Sequence, residues 1–347
     1  GPEGQYATLD YGSQPAGYIG WQVSLDEIGM AGLRAAEKEA KRIEAKDVSC
    51  PQCAGSLKLQ APDETKRVSC PYCSSLLECD RGNLQYLETL KTKVDPLIEI
   101  GSEGTLFDMK YIVIGFMQRS VTFDRKYFWT EYLLYNADVG FRWLVHSDEH
   151  WSFSEPLSPA DVHDYKTSAA WDGKTFKLFQ RAIARVEYVL GEFYWKVESG
   201  EEVAMRDLIA PPYTLSIERS MEMAVQEEGG RAKMNLGEVN MSVGTYTPHD
   251  DIEEAFKVSE LPRSFNVAPN QPFPCDRTVY GYWLAILCAL FLVYGLATMI
   301  KDKADGWLLV YAMFFASVIP IGAFIVNYFF DVKRWSDSDF SPYATDD

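Results

Sequence analysis

The C-terminal part of the chain limits the possible folds most. From Val279 to Ile300 there are 22 residues without a charge, and from Trp307 to Phe330 there are 24 more. At ~1.5 Å per residue each run spans about 33–36 Å as a helix, enough to cross a bilayer core of ~30 Å. Only Lys301 to Gly306 separates them. The pattern predicts a transmembrane helical hairpin; two such runs side by side are rare in soluble cores. Tyr280, Tyr282, Trp283, Trp307, Tyr328 and Trp335 fall near the ends, where aromatic belts form. Pro320 and Asn327, inside the second run, are read as a kink and a helix contact rather than a pore.

Flanking charge gives an orientation. The short loop carries Lys301 and Lys303, whereas Arg263, Arg277, Lys333 and Arg334 lie outside it. That excess places both ends on the cytoplasmic side. The chain begins with Gly-Pro and not Met. This reads as the scar of a cleaved tag on a protein that naturally starts earlier, and no signal peptide is recognised.

The second strong feature is "CPQC" and "CPYC". Cys50 and Cys53 form one pair and Cys70 and Cys73 the other, with 16 residues between the pairs. Two residues between thiolates let both bind one ion from a tight knuckle, and two knuckles supply a tetrahedral shell of sulfur suited to Zn²⁺. The insert reads as two short strands around a turn, and Gly55 as the sharp turn after the first knuckle. A closed four-thiolate shell leaves no position for substrate, so this zinc is structural. Thiols kept for a metal also favour the cytoplasm. Cys79 reads as a spectator. From Asp47 to Asp80 there are three bases against five acids, and the whole chain carries a net charge of −17. That balance argues against a phosphate-binding surface, hence against nucleic acid as a partner.

Between these features, residues 95–256 alternate in the manner of strands, with turn signals such as Asp172-Gly173 and Ser199-Gly200. "HDDIEEAF" reads as one short helix. Upstream, Ser24 to Glu27 is a capping-box pattern leading into a polar helix up to Lys46, while residues 1–23 form no independent domain.

Three further stretches invite chemical readings. "HSDEH", His146 to His150, matches a zinc-peptidase pattern, but that chemistry needs both His on one helix face, and the flanks read as strand, turn, strand. "WDGKT", Trp171 to Thr175, contains the Gly-Lys-Thr of a phosphate loop, but Ser168 stands where that loop needs a Gly, so it reads as a β-turn. Glu131, Glu192 and Glu218 lie in aromatic surroundings where a carboxyl pKa rises; with Trp195 they are the candidate lining of a ligand pocket. No catalytic residue is assigned.

The strands "YIVIGFMQRS", "WTEYLLYNADVGFRWLVHSDEHW", "VLGEFYWKVESGEEVAMRDLIAPPYTLSIERS" and "EMAVQEEG" resemble a bacterial family of unknown function, domain of unknown function 4178, over roughly residues 100–256. "GEFYW" is the most specific part. The family has no established catalytic residues, so none is carried over. The resemblance implies a bacterial inner (cytoplasmic) membrane protein. It links the chain indirectly to polyamine synthesis and membrane-stress systems, whose genes neighbour family members.

The sequence therefore predicts a mainly β protein. It divides into an N-terminal segment and spacer helix (1–46), a four-cysteine zinc ribbon (47–80), an antiparallel β-sandwich or barrel (95–256), a Pro-rich linker (257–276), two transmembrane α-helices (277–335) and an acidic tail (336–347). The expected role is a non-enzymatic, multi-pass membrane adaptor whose partners are the lipid bilayer and other membrane or cytoplasmic proteins. The alternative is an enzyme or small-ligand sensor using a pocket in the β domain.

Overall fold

The computed structural model describes residues 5–10, 16–21, 46–80, 83–91, 93–122, 126–222, 235–300 and 306–343. The chain forms two compact units, Gly1–Arg42 and Ile43–Asp347. In the first, β1 (Gln5–Asp10) and β2 (Ala16–Trp21) pair as an antiparallel hairpin, which sequence reasoning did not expect. The spacer helix expected up to Lys46 lies outside the described residues.

The second unit begins with the ribbon. β3 (Lys46–Ser49) pairs with β4 (Ser56–Leu59) around the first cysteine knuckle, and β5 (Arg67–Ser69) with β6 (Ser75–Asp80) around the second. β7 (Asn83–Thr89) extends the second hairpin beyond the expected boundary. Then come β8 (Glu103–Leu106), β9 (Met109–Thr122), β10 (Lys126–Asn136), β11 (Gly140–Ser147) and β12 (His150–Leu157). β13 (His163–Asp164), β14 (Ser168–Trp171), β15 (Lys174–Phe193), β16 (Glu202–Ala210), β17 (Tyr213–Glu222) and β18 (Asn235–Thr247) complete the strands. The helices are α1 (His249–Phe256), α2 (Thr278–Ile300) and α3 (Gly306–Arg334).

The strand order β9-β10-β11-β12-β18-β17-β16-β15 returns to its start because β15 also pairs with β9, so eight antiparallel strands close into a barrel. Closure depends on a close approach. Gly191 and Gly115 are register partners. A Cβ on Gly191 would lie 2.3 Å from the Ile114 carbonyl oxygen, and one on Gly115 would lie 2.5 Å from that of Glu192. Only glycine fits at both positions, and Gly191 also has φ +84°, which side chains rarely adopt. The Gly that heads "GEFYW" is thus a closure residue.

β15 holds the fold together. Its 20 residues run without an intervening turn. It pairs with β14, β16 and β9, and near its end Gly191–Phe193 pair with β5 of the ribbon. The outer barrel wall carries the largest core. Tyr132, Trp151, Phe153 and Tyr188 of the barrel cluster with Leu76 of the ribbon, Ile98, and Ile252 and Phe256 of α1. Burying such side chains stabilises the fold by ~1.5–3 kcal/mol each.

Two C-terminal expectations change. The Pro-rich stretch is no free linker: Leu261 and Asn270 are buried, and Asn270 Nδ2 donates to Ser152 Oγ at 3.0 Å. Neither are residues 336–343 a free tail, for Ser338 Oγ donates to the Phe179 carbonyl at 2.5 Å and Tyr343 Oη to Asp331 at 2.7 Å. Trp335, expected in an aromatic belt, is instead 5% exposed and packs on Phe179 and Ile209. α2 and α3 are each long and apolar enough to cross a membrane. They are joined by a Trp283 Nε1 to Ser317 Oγ bond at 3.1 Å, and Asn327 ties α3 to the segment before α2 by bonding both backbone groups of Cys275.

Candidate functional site

The four cysteine sulfurs of the ribbon lie within 4.8 Å of one another. Cys50 Sγ to Cys73 Sγ and Cys53 Sγ to Cys70 Sγ are both 3.7 Å. That is far beyond a disulfide bond of ~2.05 Å. It agrees with the ~3.8 Å between sulfurs that each sit ~2.3 Å from one tetrahedral ion. The donor set therefore fits a metal ion.

The two knuckles share a backbone design. Cys50 N–H donates to the Gly55 carbonyl and Ala54 N–H to the Cys50 carbonyl; Cys70 and Ser74 repeat both bonds with Ser75 and Cys70, all at 2.9 Å. The sharp turn expected at Gly55 falls instead on Ala54 (φ 58°) and its counterpart Ser74 (φ 57°). Gly55 is required for another reason, because a Cβ there would meet the Tyr72 ring at 2.5 Å. Ser75 Oγ, 3.2 Å from Cys73 Sγ, draws that thiol down to about 6, while burial pushes Cys70 up to about 12. Cys79 is buried in the ribbon core with Leu57, Leu59 and Leu77. Of the ribbon's bases, Arg67 is 5% exposed and spent on Glu78 at 3.0 Å.

Glu192 lines no pocket shared with the other candidates. It is 4% exposed, and its carboxylate accepts from Gln60 N–H at 2.6 Å, Ala61 N–H at 3.2 Å and Thr65 Oγ1 at 2.8 Å. It is the polar clasp between barrel and ribbon. Burial pushes its carboxyl above the usual range, against the three donors.

Glu131 and Glu218 do come together, inside the barrel. Directly opposed residues of antiparallel strands share a face, which puts Arg119 with Trp129 and Glu218 with Met205. β9 and β17 are not neighbours, yet Arg119 Nη1 donates to Glu218 at 2.6 Å and to Glu131 at 3.1 Å. The contact therefore passes through the lumen. Trp129 Nε1 donates to the same Glu131 oxygen at 2.7 Å, and the Arg119 guanidinium lies 5.5 Å from the Trp129 ring centre. Asp207 faces inward too, held by Gln180 Nε2 at 2.6 Å and by Ser216 Oγ. Burial alone would lower Arg119, but Glu218 and Glu131 override it and hold the guanidinium charged; burial raises Asp207. Trp195 stands apart, edge-on to Trp143 at 5.5 Å.

Arg119 escaped sequence reasoning. The available signal was an Arg within the apolar run "YIVIGFMQRSV", where a buried charge demands partners. The other motifs are turns. Asp148 and Glu149 (φ 48° and 61°) connect β11 to β12, and Asp172 and Gly173 (φ 48° and 67°) connect β14 to β15, as two-residue hairpin loops. His146 is opposite Trp151 and His150 opposite Ser147, so the two imidazoles point to different sheet faces and cannot share an ion.

No curated protein and no solved structure matches the chain. Residues 99–248, a span that coincides with the barrel and leaves out the ribbon and the helical hairpin, match the family model described as Domain of unknown function (DUF4178).

Proposed function

We propose that the chain is a membrane-anchored binding platform in which Zn²⁺ closes the ribbon, α2 and α3 cross the bilayer, and the ribbon and barrel meet protein partners in the cytoplasm. The observation that carries this reading is the closed four-sulfur shell on a ribbon annealed to the barrel through β5 and Glu192. Such a shell offers rigidity and no coordination site. The acidic balance of the ribbon favours a protein over a nucleic acid partner. The test compares proteins that co-purify from native membranes with the wild type and with Cys50→Ser, alongside zinc content. Loss of both zinc and specific partners is expected. Zinc lost while the same partners remain would remove the ribbon from the binding role.

The lumen favours a second reading, a small-ligand sensor. One guanidinium faces Glu131 and Glu218, so carboxylates are in excess, and Trp129 adds an aromatic face. This arrangement suits a small organic cation such as a polyamine and disfavours nucleotides. A polyamine should raise the melting temperature of the wild type and lose that effect with Glu218→Gln. An equal effect on both proteins would rule out the lumen as its site.

A further inference from the structure

The cytoplasm-side end of α3 carries an unusual neighbour. Phe265 is 98% exposed, the highest exposure among the large apolar side chains of the described residues. Its place is fixed, because Lys333 Nζ donates to the Phe265 carbonyl at 2.7 Å. Lys333 lies three residues beyond Phe330, the last residue of the uncharged run. Three helical residues rise ~4.5 Å, which places the Lys333 backbone in the interfacial layer that flanks the hydrocarbon, and its side chain ties Phe265 beside it.

The surface continues from there onto the barrel. Asn266 Nδ2 donates to Asp148 at 3.0 Å, and next to Asp148 the Ser147 hydroxyl meets Tyr127 Oη at 3.3 Å. Tyr127 and Phe128 are 42% and 46% exposed at the start of β10, and Lys126 Nζ lies 5.1 Å from the Phe128 ring centre. An aromatic ring with a cation beside it is the usual occupant of a membrane interface. Charge does not drive the contact, since Lys126, Arg263 and Lys333 share this end with Asp148, Glu149 and Asp250.

We propose that Phe265 and Phe128 insert into the headgroup–acyl boundary of the leaflet from which α3 emerges, so that the barrel end lies against the lipid. The proposal rests on α2 and α3 crossing the bilayer. Apolar burial drives it, and zwitterionic lipid suffices.

The test places a photo-reactive benzoylphenylalanine at position 265, 128, 315 or 72, one at a time, in the full chain in phosphatidylcholine nanodiscs. Phe315 is 71% exposed in the middle of α3 and reports on spanning; Tyr72 is 68% exposed on the ribbon and reports background. Lipid adducts at 265 and 128 should approach those at 315 and exceed those at 72 several-fold. Adducts at 315 with only background at 265 and 128, or a protein adduct there in place of lipid, overturn this proposal and leave the anchor intact. No lipid adduct at 315 overturns the anchor reading itself.

Discussion

Glu192 shows how much can hang on one side chain. Its carboxylate accepts from the N–H groups of Gln60 and Ala61 and from the Thr65 hydroxyl, which also reaches the Ala61 carbonyl at 2.8 Å. Glu192→Ala should therefore lower stability by about 1–3 kcal/mol. The loss should be read as a lower melting temperature with faster hydrogen exchange at Gln60 and Ala61; unchanged exchange there would deny the clasp. His146 makes a pH prediction. Burial against Trp151, ring centres 4.2 Å apart, pushes its pKa from 6.5 down to about 4. Between those values the unfolded chain binds a proton that the folded protein refuses. Stability from this site is complete above pH ~6.5 and is lost as pH falls toward ~4, by about 3 kcal/mol in all. Acid unfolding of His146→Phe should be flatter across that window, and an identical slope would refute the assignment. At this scale the sequence shows chemistry better than partnership. The cysteine spacing announces its own geometry, whereas Glu192 and Thr65 meet across 127 positions that no local pattern links.

Individual elements depend on their partners to different degrees. The ribbon strands are only three to six residues long from β3 to β6, too short to stand without the cysteine centre. Chelation should therefore raise exchange first across β3 to β6, and Cys73→Ser should do the same without chelator, while Cys79→Ser retains zinc. A second prediction concerns the lumen. Arg119→Met leaves two facing carboxylates without their cation and should cost about 3–5 kcal/mol. Adding Glu131→Gln and Glu218→Gln should recover part of this, as a triple-mutant thermal melt would show. Period-two alternation revealed the strands of this region, and the 249–256 helix was legible residue by residue. Alternation says which residues share a face but not where a sheet closes. Closure rests on Gly191 meeting Gly115, a contact between distant strands, so the lumen and Arg119 remained hidden.

For the molecule as a whole, ribbon, barrel and helices form one unit rather than beads on a linker. The reason is where the chain spends its apolar and aromatic groups. Leu76 of the ribbon, α1 and Leu261 share the barrel's outer core, and Trp335 joins the end of α3 to Phe179. Sequence reasoning read the junctions as a Pro-rich linker and an acidic tail, because such stretches read alike whether free or packed. Trp335→Ala should loosen the junction. Protease cleavage between residues 257 and 276 should then become faster in membranes, while the barrel's melting temperature stays within a few degrees.

β15 has one further consequence. Phe179, near one end, meets the tryptophan after α3, and Phe193, at the other, is paired with the ribbon. Fourteen residues of strand separate them, at most ~46 Å of straight chain at ~3.3 Å each. The strand works as a ruler: it fixes the distance between the ribbon and the start of the C-terminal segment after α3, and lengthening or shortening the flanking loops leaves that distance unchanged.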